Sequence, residues 1–130
     1  MYLLDTNIFL ELLLEQEKAD TVRVFLKSVS TSQLAISDFT LHSIGIVLVR
    51  LNKLPVLNSF LDDILVQGNI WMYSIPPEQL SEVLQFVTDY GLDFDDAYQY
   101  TISVQYDLQI VSFDHDFDKT PKGRKTPSDL

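Results

Sequence analysis

The strongest constraint on this chain is an alternation of short apolar runs with helical stretches. Tyr2-Leu3-Leu4, Leu34-Ala35-Ile36, Ile70 to Ile75 around Trp71 and Tyr73, and Gln109-Ile110-Val111-Ser112 read as strands, the second of them buried. Between them the apolar period lengthens to that of a helix. Thr6 or Asn7 can cap a helix through about Leu14, and Ala19 to Val29 carries Val22, Phe25, Leu26 and Val29 on one face. Ser37 and Asp38 are cap candidates for a long apolar helix to about Asn52, and Pro55 marks a further start before Val56 to Val66. Pro76-Pro77 opens another helix that Gly91 closes, and Asp93 can cap the last, from about Phe94 to Tyr106. Strands that alternate with helices are parallel and joined by right-handed crossovers, so the expected fold is a three-layer α/β/α sandwich around a mostly parallel sheet. With no internal repeat or linker, the 130 residues fit one domain, 1–130.

Cysteine is absent, which excludes disulfides, thiolate metal sites and cysteine nucleophiles. A metal would be held by oxygen or by His42 and His115. No apolar run approaches the roughly 20 residues that span a bilayer, so a cytoplasmic protein without membrane contact is expected. The net charge of −10 is unevenly spread. From Leu54 to Asp118 the chain has twelve acids and no Lys or Arg, and a short basic tail with Lys119, Lys122, Arg124 and Lys125 follows. Such an acidic stretch repels polyanions unless cations neutralise part of it.

Open parallel sheets form their sites at the carboxyl ends of the strands. Asp5 follows the first strand, Asp114 follows the last, and Asp96 lies in the first turn of the helix before that strand. Three acids that converge there favour a hard divalent cation, because crowded carboxylates otherwise repel one another. Each also has a plain role: Asp5 as a turn or cap residue, Asp96 as a helix-dipole residue, Asp114 as loop solvation.

Leu3-Leu4-Asp5-Thr6-Asn7, Asp96-Ala97 and Ile110-Val111-Ser112-Phe113-Asp114-His115-Asp116-Phe117 together resemble the motifs of PIN-domain ribonucleases, and especially the VapC-like toxins of toxin–antitoxin pairs. The resemblance spans essentially the whole chain, including Gly123-Arg124 near its end. It implies a PIN-like domain that hydrolyses RNA with Mg²⁺ or Mn²⁺, leaving a 5′-phosphate and a 3′-hydroxyl. By the same resemblance Asp5, Asp96 and Asp114 hold the metal, Thr6 and Ser112 support them, Asn7 orients the site, and Asp116 belongs to the last motif. A small antitoxin is the implied partner. The basic tail from Lys119 to Lys125 either meets the RNA backbone at the rim or is a solvated charge run.

One position departs from the family. A further Glu is usual in the helix after the second strand, and Thr40-Leu41-His42-Ser43-Ile44 puts Ser43 in its place. Serine offers only a neutral oxygen. Asp38 and Glu11 are possible substitute ligands, although Asp38 is turned well away from Ser43 if it lies on the same helix, and His42 points about 100° aside. The competing reading is therefore a PIN-fold protein with weakened catalysis that acts as a binding or regulatory partner. A phosphoacceptor receiver domain is disfavoured because Ser74 and Ile75, not an acid, follow the third strand. A phosphatase with Asp5 as nucleophile would need an acid where Asn7 stands. Leu41, Ile44, Val47, Leu48, Leu51, Leu57, Phe60, Leu61 and Ile64 are many large residues for two helices, which points either to core packing or to a homodimer or antitoxin groove.

Overall fold

The computed structural model describes residues 1–130. Four strands, β1 (Tyr2–Leu4), β2 (Leu34–Ser37), β3 (Trp71–Tyr73) and β4 (Gln109–Val111), form one sheet in the order β3-β2-β1-β4. Every pairing is parallel, with Leu3 opposite Ala35 on one side and Ile110 on the other. The six helices are α1 (Thr6–Leu13), α2 (Ala19–Ser28), α3 (Asp38–Arg50), α4 (Leu54–Phe60), α5 (Leu80–Tyr90) and α6 (Phe94–Gln105). None is long and apolar enough to cross a membrane.

Successive strand residues face opposite sides of a sheet, and that period divides the core in two. Leu3, Ala35 and Ile110 join Val83, Tyr100 and Ile102 of α5 and α6 on one face. Leu4, Ile36 and Val111 join Ile8, Phe9, Val22, Phe25, Ile44, Leu48 and Phe60 of α1 to α4 on the other. The three layers expected from the alternation are present.

Local chemistry moved some boundaries. The cap of α1 is Asp5, not Thr6 or Asn7: its backbone is extended, at φ −76° and ψ 161°, and its carboxylate accepts the Thr6 amide. Of the two candidates for α3, Ser37 is the cap, receiving the Thr40 amide, and Asp38 is the first helical residue. Asp93 occupies the cap position of α6 without a side-chain cap bond. The helix expected to Val66 instead widens after Phe60 into π-helical turns over Leu61–Gln67, which end with the Gly68 amide on the Asp63 carbonyl at 2.9 Å. Gly91 closes α5 at φ 64°, in the left-handed region that a glycine reaches without strain.

Candidate active site

Because β1 and β4 are adjacent and parallel, their carboxyl ends open side by side, and the residues that follow them meet. Asp5, Thr6, Asn7, Leu10, Ser43, Asp95, Asp96 and Asp114 line one open cleft there. Ser43 reaches it from α3, while Asp95 and Asp96 reach it from the first turn of α6.

Asp5 is buried and held by four donors. Its Oδ1 accepts the Thr6 amide at 2.8 Å and Gln99 Nε2 at 3.3 Å; its Oδ2 accepts the Ser112 hydroxyl at 2.7 Å and Asn7 Nδ2 at 3.4 Å. The Ser112 Oγ in turn accepts from Asn7 Nδ2 at 3.2 Å and from the Asp114 amide at 2.9 Å. Asn7 completes the brace by accepting the Phe113 amide at 3.1 Å. Asp114 accepts the Asp116 amide at 2.9 Å, which starts the short 3₁₀ turn His115–Lys119.

No Lys or Arg pairs with Asp5, Asp96 or Asp114. Burial pushes the Asp5 carboxyl up from its ordinary 3.8, against the lowering effect of the Ser112, Thr6 and Gln99 donors, and the charge on Asp114 adds to the rise. The Asp96 carboxyl is pushed up to about 8, by burial first and then by repulsion from Asp95, Asp114, Asp5 and Asp116. Buried oxygens that crowd together with no countercharge from the chain are a donor set suited to a hard divalent cation. Asp93, Asp96 and Asp116 bring one carboxylate oxygen each within 4.8 Å of the others. Asp5 and Asp114 share the cleft with Asp96 without entering that closer group.

Several sequence candidates lie elsewhere. Asp38 does not line the cleft: its carboxylate accepts the Tyr98 hydroxyl and the Phe39 amide, each at 2.9 Å. Glu11 is also outside, accepting the Lys18 amide at 3.0 Å at the turn into α2. His42 lies along the α3–α4 groove, and His115 stands beside Arg124 and Asp118. The basic tail is largely engaged within the molecule. Lys119 pairs with Asp116, and Lys122 donates to the Ser103 carbonyl at 3.1 Å. Arg124 donates to the Ser112 carbonyl at 3.1 Å and pairs with Asp118 at 3.2 Å, with its side chain only 10% exposed. The backbone of Lys125 continues the sheet beside β4, receiving the Ser112 amide at 3.0 Å, while the residue stays exposed.

Three residues at or behind the cleft were missed in the sequence: Asp95, Gln99 and the buried Thr40. Gln99 follows Asp96 by one helical turn, a spacing that puts both on one face of α6 and could have drawn attention to it.

The fold has counterparts among solved structures. The chain aligns with FitAcB from Neisseria gonorrhoeae at 23% identity and a TM-score of 0.77, over 100% of both chains. A toxin–antitoxin complex from Klebsiella pneumoniae aligns at 19% identity and a TM-score of 0.76, over 98% of each chain. VapC20 of Mycobacterium tuberculosis, a sarcin-ricin loop cleaving toxin, aligns at 15% identity and a TM-score of 0.77, over 91% of this chain and 93% of that one. No curated protein matches the sequence. The family model of the PIN domain matches residues 2–123, and the chain therefore belongs to the PIN-domain family.

Proposed function

We propose that residues 1–130 form one PIN-like domain that acts in the cytoplasm as a divalent-metal-dependent endoribonuclease, the toxin of a toxin–antitoxin pair. The observation that carries this reading is the cleft itself, where Asp5, Asp96 and Asp114 stand together with no cationic side chain to balance them. The solved relatives that include a toxin–antitoxin complex and an RNA-cleaving toxin support the biological side of it.

Asp5, Asp96 and Asp114 would hold Mg²⁺ or Mn²⁺, with Asp93 and Asp116 as further carboxylates near Asp96. Bound there, the cation would supply Lewis acidity for in-line attack of water on a phosphodiester. The chain's own residues do the positioning. Ser112 and Asn7 fix both the Asp5 carboxylate and the loop that carries Asp114, so the two acids cannot drift apart. Thr6 donates its amide to Asp5, which ties the carboxylate to the start of α1. The exposed Lys125, following the engaged Arg124, is the tail residue free to meet an RNA phosphate.

A second reading, a PIN-fold protein with weakened catalysis that acts as a binding partner, is favoured by Ser43, which stands in the cleft with a neutral hydroxyl where the family resemblance implies a Glu. The exposed groove lined by Leu41, Gly45, Ile46, Val49, Leu57 and Leu61 supports pairing with a second copy or an antitoxin. Cleavage of RNA by the purified protein with Mn²⁺ or Mg²⁺, compared with Asp5→Asn, Asp96→Asn and Asp114→Asn, separates the two readings. Loss of cleavage in all three variants is expected. Equal residual activity in wild type and variants would rule out the nuclease.

A further inference from the structure

We infer that Gln99 is a positioning residue: its buried amide fixes the distance between the Asp5 carboxylate and α6, the helix that carries Asp96, and so sets the affinity of the cleft for a divalent cation. This rests on the metal-dependent reading above and deepens it.

Gln99 is 3% exposed and lies one turn after Asp96. Its Nε2 donates to Asp5 Oδ1 at 3.3 Å and to Thr40 Oγ1 at 2.7 Å. The other donors to Asp5, namely Thr6, Asn7 and Ser112, come from the first turn of α1 and the residue after β4. Gln99 alone reaches Asp5 from α6. Its second contact, Thr40, lies in the first turn of α3, where the Thr40 hydroxyl also receives the Ser37 hydroxyl at 3.3 Å and the Thr6 hydroxyl at 3.4 Å. One side chain thus joins the three helices that surround the cleft.

The same amide carries a defect. Gln99 Oε1 is buried with no hydrogen-bond partner. A leucine of similar size would lose the donor to Asp5 but also remove this unsatisfied oxygen, and the two effects offset each other, so stability alone does not account for a glutamine here. Rotating the amide would let the carbonyl oxygen accept from the Thr40 hydroxyl, but it would also turn that oxygen toward the Asp5 carboxylate and remove a donor from it. Only the orientation that leaves Oε1 unpaired puts a donor on Asp5. Ser43 makes the contact more consequential: with no carboxylate from α3, the spacing between Asp5 and Asp96 carries more of the ligand geometry.

The test is Mn²⁺ affinity, followed by the electron paramagnetic resonance signal of free Mn²⁺, on folded wild type, Gln99→Leu and Asp5→Asn, with melting in EDTA measured alongside. Gln99→Leu is expected to bind Mn²⁺ about tenfold more weakly, the usual scale for a residue that orients a ligand, while its melting temperature in EDTA does not fall. Unchanged Mn²⁺ affinity in Gln99→Leu overturns the inference. If Gln99→Leu does not fold, Gln99→Met is read in the same way; failure of both to fold makes the role structural and overturns it too. Should Asp5→Asn bind as well as wild type, or wild type not bind, the metal reading fails and the inference with it. Loss of binding in Asp5→Asn but not in Gln99→Leu sinks the inference alone.

Discussion

The hydroxyl of Ser112 donates to the Asp5 carboxylate at 2.7 Å, joining residues 107 positions apart in the chain. The bond exists because β1 and β4 are neighbours, and it fixes the first and last acids of the cleft, since the same Oγ receives the Asp114 amide. Ser112→Ala leaves Asp5 buried with one donor fewer. Urea unfolding in EDTA is expected to show a loss of ~1.5–3 kcal/mol, the scale of a hydrogen bond to a charged group. Mn²⁺ affinity should fall about tenfold alongside it. A variant as stable as wild type would mean the bond does not restrain Asp5.

Asp96 makes the stability of the protein depend on pH when no divalent cation is bound. Its carboxyl is pushed up to about 8 in the folded chain from an ordinary 3.8. Between these values the folded state holds a proton that the unfolded chain has released, so stability must fall as pH climbs through that window. The raised Asp5 carboxyl acts in the same direction. Melting temperatures in EDTA should decline from about pH 4 to about pH 8, more steeply than carboxyls of ordinary pKa would allow. Asp96→Asn should flatten the decline and be the more stable protein at pH 8, by ~1–3 kcal/mol. Identical slopes for the two proteins would show that Asp96 is not the group responsible.

Ser43 stands where a fourth carboxylate could join the cleft. Ser43→Glu is expected to tighten Mn²⁺ binding about tenfold, because added ligand charge strengthens hard-cation sites. Without the cation the same change adds repulsion to Asp96 and should lower the melting temperature in EDTA. If RNA cleavage rises with affinity, weak metal binding limits the natural protein; if affinity rises and cleavage does not, the binding-partner reading gains. No change in either quantity would indicate that position 43 lies outside the metal's reach.

The acids of the cleft were legible because their positions follow from the order of elements. A residue placed after a buried strand in a parallel sheet can only emerge at one edge, and Asp5 and Asp114 do so. Asp96 was equally readable as a first-turn residue of α6. Asp38 was readable as a substitute ligand only while its neighbours were unknown; the Tyr98 hydroxyl, sixty positions away, holds it outside the cleft. The tail looked like a free basic run, yet Arg124 is folded against the Ser112 carbonyl and Asp118. Charge counts along a chain do not show which cations are already engaged.

By itself the sequence determined the layer order and the placement of Asp5 and Asp114 after the first and last strands and of Asp96 in the first turn of α6. These depend on periods of two and of about 3.6 residues and on the edge at which parallel strands finish. Tertiary structure alone decided the partners of each acid: that Asp5 is gripped by Ser112, Asn7 and Gln99, that Asp96 is crowded by Asp95 and Asp116, and that Ser43 completes the cleft without a charge. The physical reason is range. Periodicity is written locally, whereas burial and the hydrogen bonds of a carboxylate depend on residues a hundred positions away that only the folded chain brings within 3 Å.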